Sequence, residues 1–176
     1  MRTAIGAVAL LLLGACVHGS AVSGDPRSTF DLALSGEGSS VTATCSVTGC
    51  TGPEIQVVLD AASARGMLGR DAIDLNFTDG TINGSIGSEP VKLTVDDAHL
   101  AGTFAGSLGD LRVGADKIEG RVGRCSYDLR SKNGVDYQGQ RACGGGPVQA
   151  ALHLPETLLH LPRTERLAVM ALLLAR

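Results

Sequence analysis

Five columns of residues recur at a spacing of 18 between residues 71 and 142 of this 176-residue chain. Leu75, Leu93, Leu111 and Leu129 form the first, Phe77, Val95 and Val113 the second, and Ile82, Leu100 and Ile118 the third. Gly84, Gly102 and Gly120 make the fourth, and Ile86, Phe104 and Val122 the fifth. A further copy with one inserted residue brings Tyr137 and Gly139 into the columns of Ile118 and Gly120. Each unit reads apolar-x-apolar, a turn, then apolar-x-Gly-x-apolar, and this period-two alternation makes both halves strands. The links Thr78-Asp79-Gly80-Thr81 and Lys132-Asn133-Gly134 carry hairpin chemistry, because glycine accepts positive φ. Consecutive hairpins predict a twisted antiparallel meander of up to eight strands over 71–142, with one face buried. A parallel β-helix could also turn once in 18 residues, but its hexad positions between Ile82 and Leu100 would be Ser88 and Thr94, with Gly106 next, so hexad periodicity is absent.

The flanks fill in the rest of the expected fold. Phe30, Leu32 and Leu34, then Val41, Ala43 and Cys45, alternate with polar residues and predict two short strands joined at Gly36 to Ser40. Between 53 and 65, Ile55, Val58, Leu59 and Ala62 share a helical face, with Pro53 suited to the first turn and Gly66 to the C-terminal cap. A helix is expected there, with a strand over Ile55 to Leu59 as the competing reading. Val148, Ala150, Leu152 and Leu154 predict a last strand, after which Pro155 and Pro162 open helical stretches in the segment 155–176. The nine apolar residues from Leu167 to Ala175 are too few to span a bilayer, so burial against the sheet is expected. The expected class is α+β, mainly β: a meander with a helix before it and a C-terminal helix packed on one face.

The glycine column, Gly84, Gly102, Gly120 and Gly139, lies by spacing on the apolar strand face. Glycine inside a strand marks curvature, a bulge or close approach of another element. A helix lying across the resulting trough is one reading; a groove for an apolar ligand is the other.

The chain opens with Arg2, an apolar stretch from Ala4 to Leu13, and the small residues Gly14 and Ala15 before Cys16, the layout of a cleaved secretory signal over 1–15. Leu13-Gly14-Ala15-Cys16 resembles the lipobox of bacterial lipoproteins. The resemblance implies that the Cys16 thiol carries a diacylglycerol and its amine an acyl chain, anchoring the protein to a membrane. Val17 is not the aspartate that in enterobacteria holds lipoproteins at the inner membrane, so the resemblance favours the outer membrane. Residues 16–29, small and polar with Gly and Pro, are expected to form a flexible tether, leaving 30–176 as a single domain.

Five cysteines are an odd number for an exported chain, and lipidation of Cys16 leaves four to pair. Of the three pairings, geometry prefers Cys125–Cys143, symmetric about Gly134, with Cys45–Cys50 as a local clasp.

No cofactor is expected. The cysteine spacings and the isolated His99 and His153 do not fit a zinc site. Asp96-Asp97 lacks the spacing of a calcium loop and reads as a turn. No G-x-S-x-G elbow occurs, and Gly144-Gly145-Gly146-Pro147 lacks the G-K-[ST] of a phosphate loop. The formal net charge of −3 does not suggest nucleic acid as a partner. Charge is unevenly spread, though: 71–110 holds seven acidic groups against Lys92 alone, and 111–141 holds seven basic groups against four acidic. The sequence therefore points to a membrane-anchored envelope lipoprotein with a non-enzymatic structural or partner-binding role. The alternatives are a carrier of an apolar molecule in the glycine-lined trough, or an enzyme whose groups, such as Asp96, Asp97 and His99, gather only in space.

Overall fold

The computed structural model describes residues 28–34 and 40–175. The expected signal peptide, Cys16 and the tether as far as residue 27 lie outside them, as does most of the Gly36 to Ser40 link. Among the described residues the chain is mainly β. It runs through β1 (Ser28–Leu34), β2 (Ser40–Ser46), β3 (Gly49–Thr51), β4 (Ile55–Asp60) and β5 (Ser63–Leu68). Next come β6 (Asp71–Thr78), β7 (Thr81–Ile86), β8 (Glu89–Asp96), β9 (His99–Phe104) and β10 (Ser107–Val113). β11 (Lys117–Val122), β12 (Cys125–Ser131), β13 (Asp136–Cys143) and β14 (Val148–His153) complete the strands, and α1 (Glu156–Leu159) and α2 (Arg163–Leu174) end the described chain.

The expected open meander is instead a closed barrel. Each strand pairs antiparallel with its neighbours in sequence, and β1 also pairs with β14, Leu32 opposite Leu152, so that no described strand is left as an edge. Following paired residues once around the wall returns to β1 displaced by 14 positions, a stagger equal to the number of strands. That stagger sets the strand tilt at about 35° and, at about 4.8 Å between strands, a wall of roughly 13 Å radius.

The reason for closure lies in the tail. Eight consecutive residues of α2, Leu167 to Leu174, are at most 1% exposed. A helix apolar on every side cannot be satisfied by one sheet face; it needs a wall around it. Strands from around the barrel meet it. The helix packs on β6 and β7, while Leu172 and Leu173 border a small cleft with Val41, Ile55 and Leu68. On the far side, Ala175 lies against Gly123, and Tyr127 of β12 donates its phenol hydrogen to the Leu174 carbonyl. The helix therefore threads the interior and does not cover one face. Its 12 residues span about 18 Å, and a seven-residue strand tilted by about 35° rises roughly 19 Å, so filler and wall match in height.

Two rims follow from the strand directions. The upper rim carries the start of β1, the β8–β9 turn and the end of β14, where α1 begins; Arg163, at the start of α2, faces Asp97 there at 3.5 Å. The lower rim carries the β11–β12 and β13–β14 links and receives the end of α2. As the sequence predicts, both helices open directly after Pro155 and Pro162.

The helix expected over 53–65 is a hairpin, β4 and β5. Burial along β4 alternates strictly: Val57 is 3% exposed and Val58 is 58% exposed, the reverse of what the helical face required. The β-branched run Ile55, Val57, Val58 favours the pleated surface. Gly66 is no helix cap but stands inside β5 opposite Val57. Ile55, Val57, Leu59, Ala64 and Gly66 precede Ile73, Leu75, Phe77, Ile82 and Gly84 by 18 residues, so the same spacing begins one unit earlier than 71.

Candidate functional site

The glycine column does not line a trough. Gly84 and Gly102 have φ of +149° and +139°, and a Cβ on them would lie 1.9 Å from the Asp74 carbonyl oxygen and 2.2 Å from that of Lys92. The added atom would point along the sheet into the backbone of the preceding strand. Gly120 and Gly139 are crowded in the same way by Asp110 and Asp128. These positions are bends that help the wall curve, and the space they were expected to border holds α2.

The exterior carries the chemistry. On the upper rim, Asp96, Asp97 and His99 come together around a depression of about 370 Å³ with Arg112, Asp116, Lys117 and Glu119. Asp97 sits at φ +47° in the β8–β9 turn, the turn role its sequence suggested. His99 Nε2 bonds to Asp110 Oδ1 at 2.7 Å, away from the two aspartates. Lys117 is hydrogen-bonded to Glu119, which first of all causes its pKa to be raised, and it stands 3.7 Å from Asp128. Within the depression Lys117 and Glu119 pair with each other, while Asp97 and His99 are engaged by Arg163 and Asp110 outside it. His153 pairs with Asp136 at 2.7 Å and holds that carboxyl below its usual range, with Asn133 contributing next. Among the described residues no three His, Cys, Asp or Glu side chains are placed to hold a metal ion.

The lower rim holds a different group. Both expected disulfides are present: Cys45–Cys50 joins β2 to β3 and Cys125–Cys143 joins β12 to β13, each across a directly opposed pair with Cα atoms 4.1 Å apart. The pairing of Cys125 with Cys143 follows the symmetry about Gly134, which stands at the centre of the five-residue loop 132–136 between the paired Ser131 and Tyr137. Beside Cys125 lies Arg141, 6% exposed, whose Nη2 donates to Cys125 Sγ at 3.3 Å. Its guanidinium carbon stands 5.8 Å from the centre of the Tyr127 ring, and its Nε is buried without a hydrogen-bond partner. Burial pushes the Tyr127 phenol up to about 12 despite the opposing pull of Arg141. Sequence reasoning missed Arg141. The available signal was register, since Tyr137, Gly139, Arg141 and Cys143 are two apart on β13 and face the same way.

Outside the barrel, the uneven charge of the sequence becomes two adjoining walls. The β6–β9 wall exposes Asp71, Asp74, Glu89 and Asp96 against Lys92, whereas the β10–β13 wall mixes exposed Arg112, Arg121, Arg124 and Arg130 with exposed Asp110, Asp128 and Asp136. No family model matches the chain, and neither a curated protein nor a solved structure matches it.

Proposed function

We propose that this protein is an exported, lipid-anchored envelope lipoprotein, held at the outer membrane through Cys16, whose barrel acts as a non-enzymatic scaffold that presents its outer walls to a protein partner. The observation that carries the reading is the full interior. Eight successive residues of α2 occupy the space in which a carrier barrel would hold cargo, so recognition falls to the outside. The acidic β6–β9 wall, beside a wall of mixed charge, supplies an electrostatic pattern that can orient a partner of complementary charge. Two disulfides suit an oxidising compartment. The lipobox-like Leu13-Gly14-Ala15-Cys16 supports anchoring.

The test is expression of the full chain in a bacterial host fed labelled palmitate, followed by membrane fractionation and photo-crosslinking from positions 74 and 130. Label that disappears in Cys16→Ala, outer-membrane fractionation, and a discrete crosslinked species lost at high salt would support the reading. An unlabelled, freely soluble chain would refute the anchoring, and a co-purifying apolar small molecule would return the carrier reading.

A further inference from the structure

The two disulfides share one cross-strand geometry and differ in surroundings. Cys45 and Cys50 are 0% and 1% exposed. In the other pair Cys125 is 2% exposed, but Cys143 is exposed, at the end of β13. After it come Gly144, Gly145 and Gly146, around which a Cβ would meet nothing within 4 Å, so the approach to Cys143 is open. Next to this opening lies a depression of about 560 Å³ lined by Arg121, Arg124, Ser126 and Leu108, the last 61% exposed. On the inner side stands Arg141, a buried cation with one nitrogen unpartnered and another already on Cys125 Sγ.

We propose that Cys125–Cys143 is a thiol–disulfide exchange site whose co-reactant is a dithiol flanked by negative charge. This goes beyond the scaffold reading and does not depend on it. A partner thiolate attacks Cys143 Sγ, forming a mixed disulfide while the Cys125–Cys143 bond breaks. The electron pair of that bond leaves with Cys125 Sγ as a thiolate, and the Arg141 guanidinium becomes its counter-ion. The partner's second thiolate then attacks the partner sulfur of the mixed disulfide and releases Cys143 as thiolate. The barrel gains two electrons as a dithiol and the partner is oxidised to a disulfide. Exchange proceeds faster when the leaving sulfur is stabilised as thiolate, and a neighbouring guanidinium provides that stabilisation. Arg121 and Arg124 outside the rim favour an approaching thiol that carries carboxylates.

The experiment treats the full chain, purified without reductant, with glutathione as an anionic thiol and with cysteamine as a cationic one, then quenches with acid and locates each adduct by peptide mass spectrometry. Glutathione should tag Cys143 and leave Cys45–Cys50 intact, it should react severalfold faster than cysteamine at low salt, and added salt should erase the difference. Arg141→Met should slow release of Cys125 by about tenfold, and Arg141→Lys should restore most of the rate. The strand circular dichroism signal and the intact Cys45–Cys50 bond report that each variant is folded. Adducts first on Cys125 or on the Cys45–Cys50 pair, or a folded Arg141→Met exchanging at the unaltered rate, would overturn the proposal.

Discussion

At its upper rim the barrel is stapled by Cys45–Cys50, sealed from water, with Thr157 of α1 donating to the Cys45 carbonyl at 3.5 Å. At its lower rim the staple has one exposed end and a buried arginine beside the other, and a buried tyrosine meets the last turn of α2. The covalent bond is the same and the opposed-strand geometry is the same, so what differs is the medium around each sulfur. One rim is closed by packing and the other by a polar cluster that an outside reagent can reach. A disulfide's loop length therefore does not by itself say how readily the bond exchanges. Loop entropy would give the 18-residue separation of Cys125 and Cys143 about 3 kcal/mol and the five-residue separation of Cys45 and Cys50 about 2 kcal/mol. The more stabilising bond is the more accessible one.

Both rims depend on the α2 filling between them, so its loss should have the largest effect. Leu172→Asp places an unpaired carboxylate inside the barrel beside the wall and should prevent folding, read as loss of the cooperative thermal transition; Leu172→Ala should cost about 2–5 kcal/mol in denaturant titration. Gly102→Ala attacks the wall between the rims. Its Cβ would stand 2.2 Å from the Lys92 carbonyl oxygen, so about 3 kcal/mol or more should be lost, and both rims should weaken together in hydrogen exchange. Removing one staple at a time sharpens the contrast. The Cys125→Ser/Cys143→Ser pair should lower stability by about 3 kcal/mol and Cys45→Ser/Cys50→Ser by about 2 kcal/mol, each measured by denaturant midpoint.

The smallest effect concerns the lower rim alone. Tyr127→Phe deletes the bond to the Leu174 carbonyl and should cost about 1 kcal/mol. Because burial raises the folded phenol to about 12 from an unfolded value of 10.0, its contribution is fully present below pH 10 and is lost as pH rises towards 12. The unaltered protein should therefore lose stability across that alkaline window, and Tyr127→Phe should show less of the loss.

Part of this fold was readable because certain residues carry their geometry with them. Cys125 and Cys143 straddle Gly134 symmetrically, which places them opposite each other on neighbouring strands, and Pro155 and Pro162 mark both helix starts. Other parts were hidden for physical reasons. Pro53 and Gly66 mimic the punctuation of a helix, yet Gly66 is a strand bend and the inward partner of Val57. Closure was not legible in any one strand, since it depends on β1 meeting β14 across more than a hundred residues of chain; the all-round apolar α2 was its nearest hint. Arg141 belongs to no motif, and its importance arises only from burial next to Cys125 and Tyr127. The groups that did look chemical, Asp96, Asp97 and His99, share a depression, but His99 is engaged with Asp110.

α2 stands inside a closed wall, and native-state hydrogen exchange of the peptide covering 164–175 tests that most directly. Enclosure predicts that the amides of Leu167 to Leu174 exchange only when the wall strands β6 to β13 unfold, with the same free energy and the same denaturant dependence. Exchange of this peptide at lower free energy, while the wall amides stay protected, would mean that the helix leaves without opening the barrel and would contradict its enclosure.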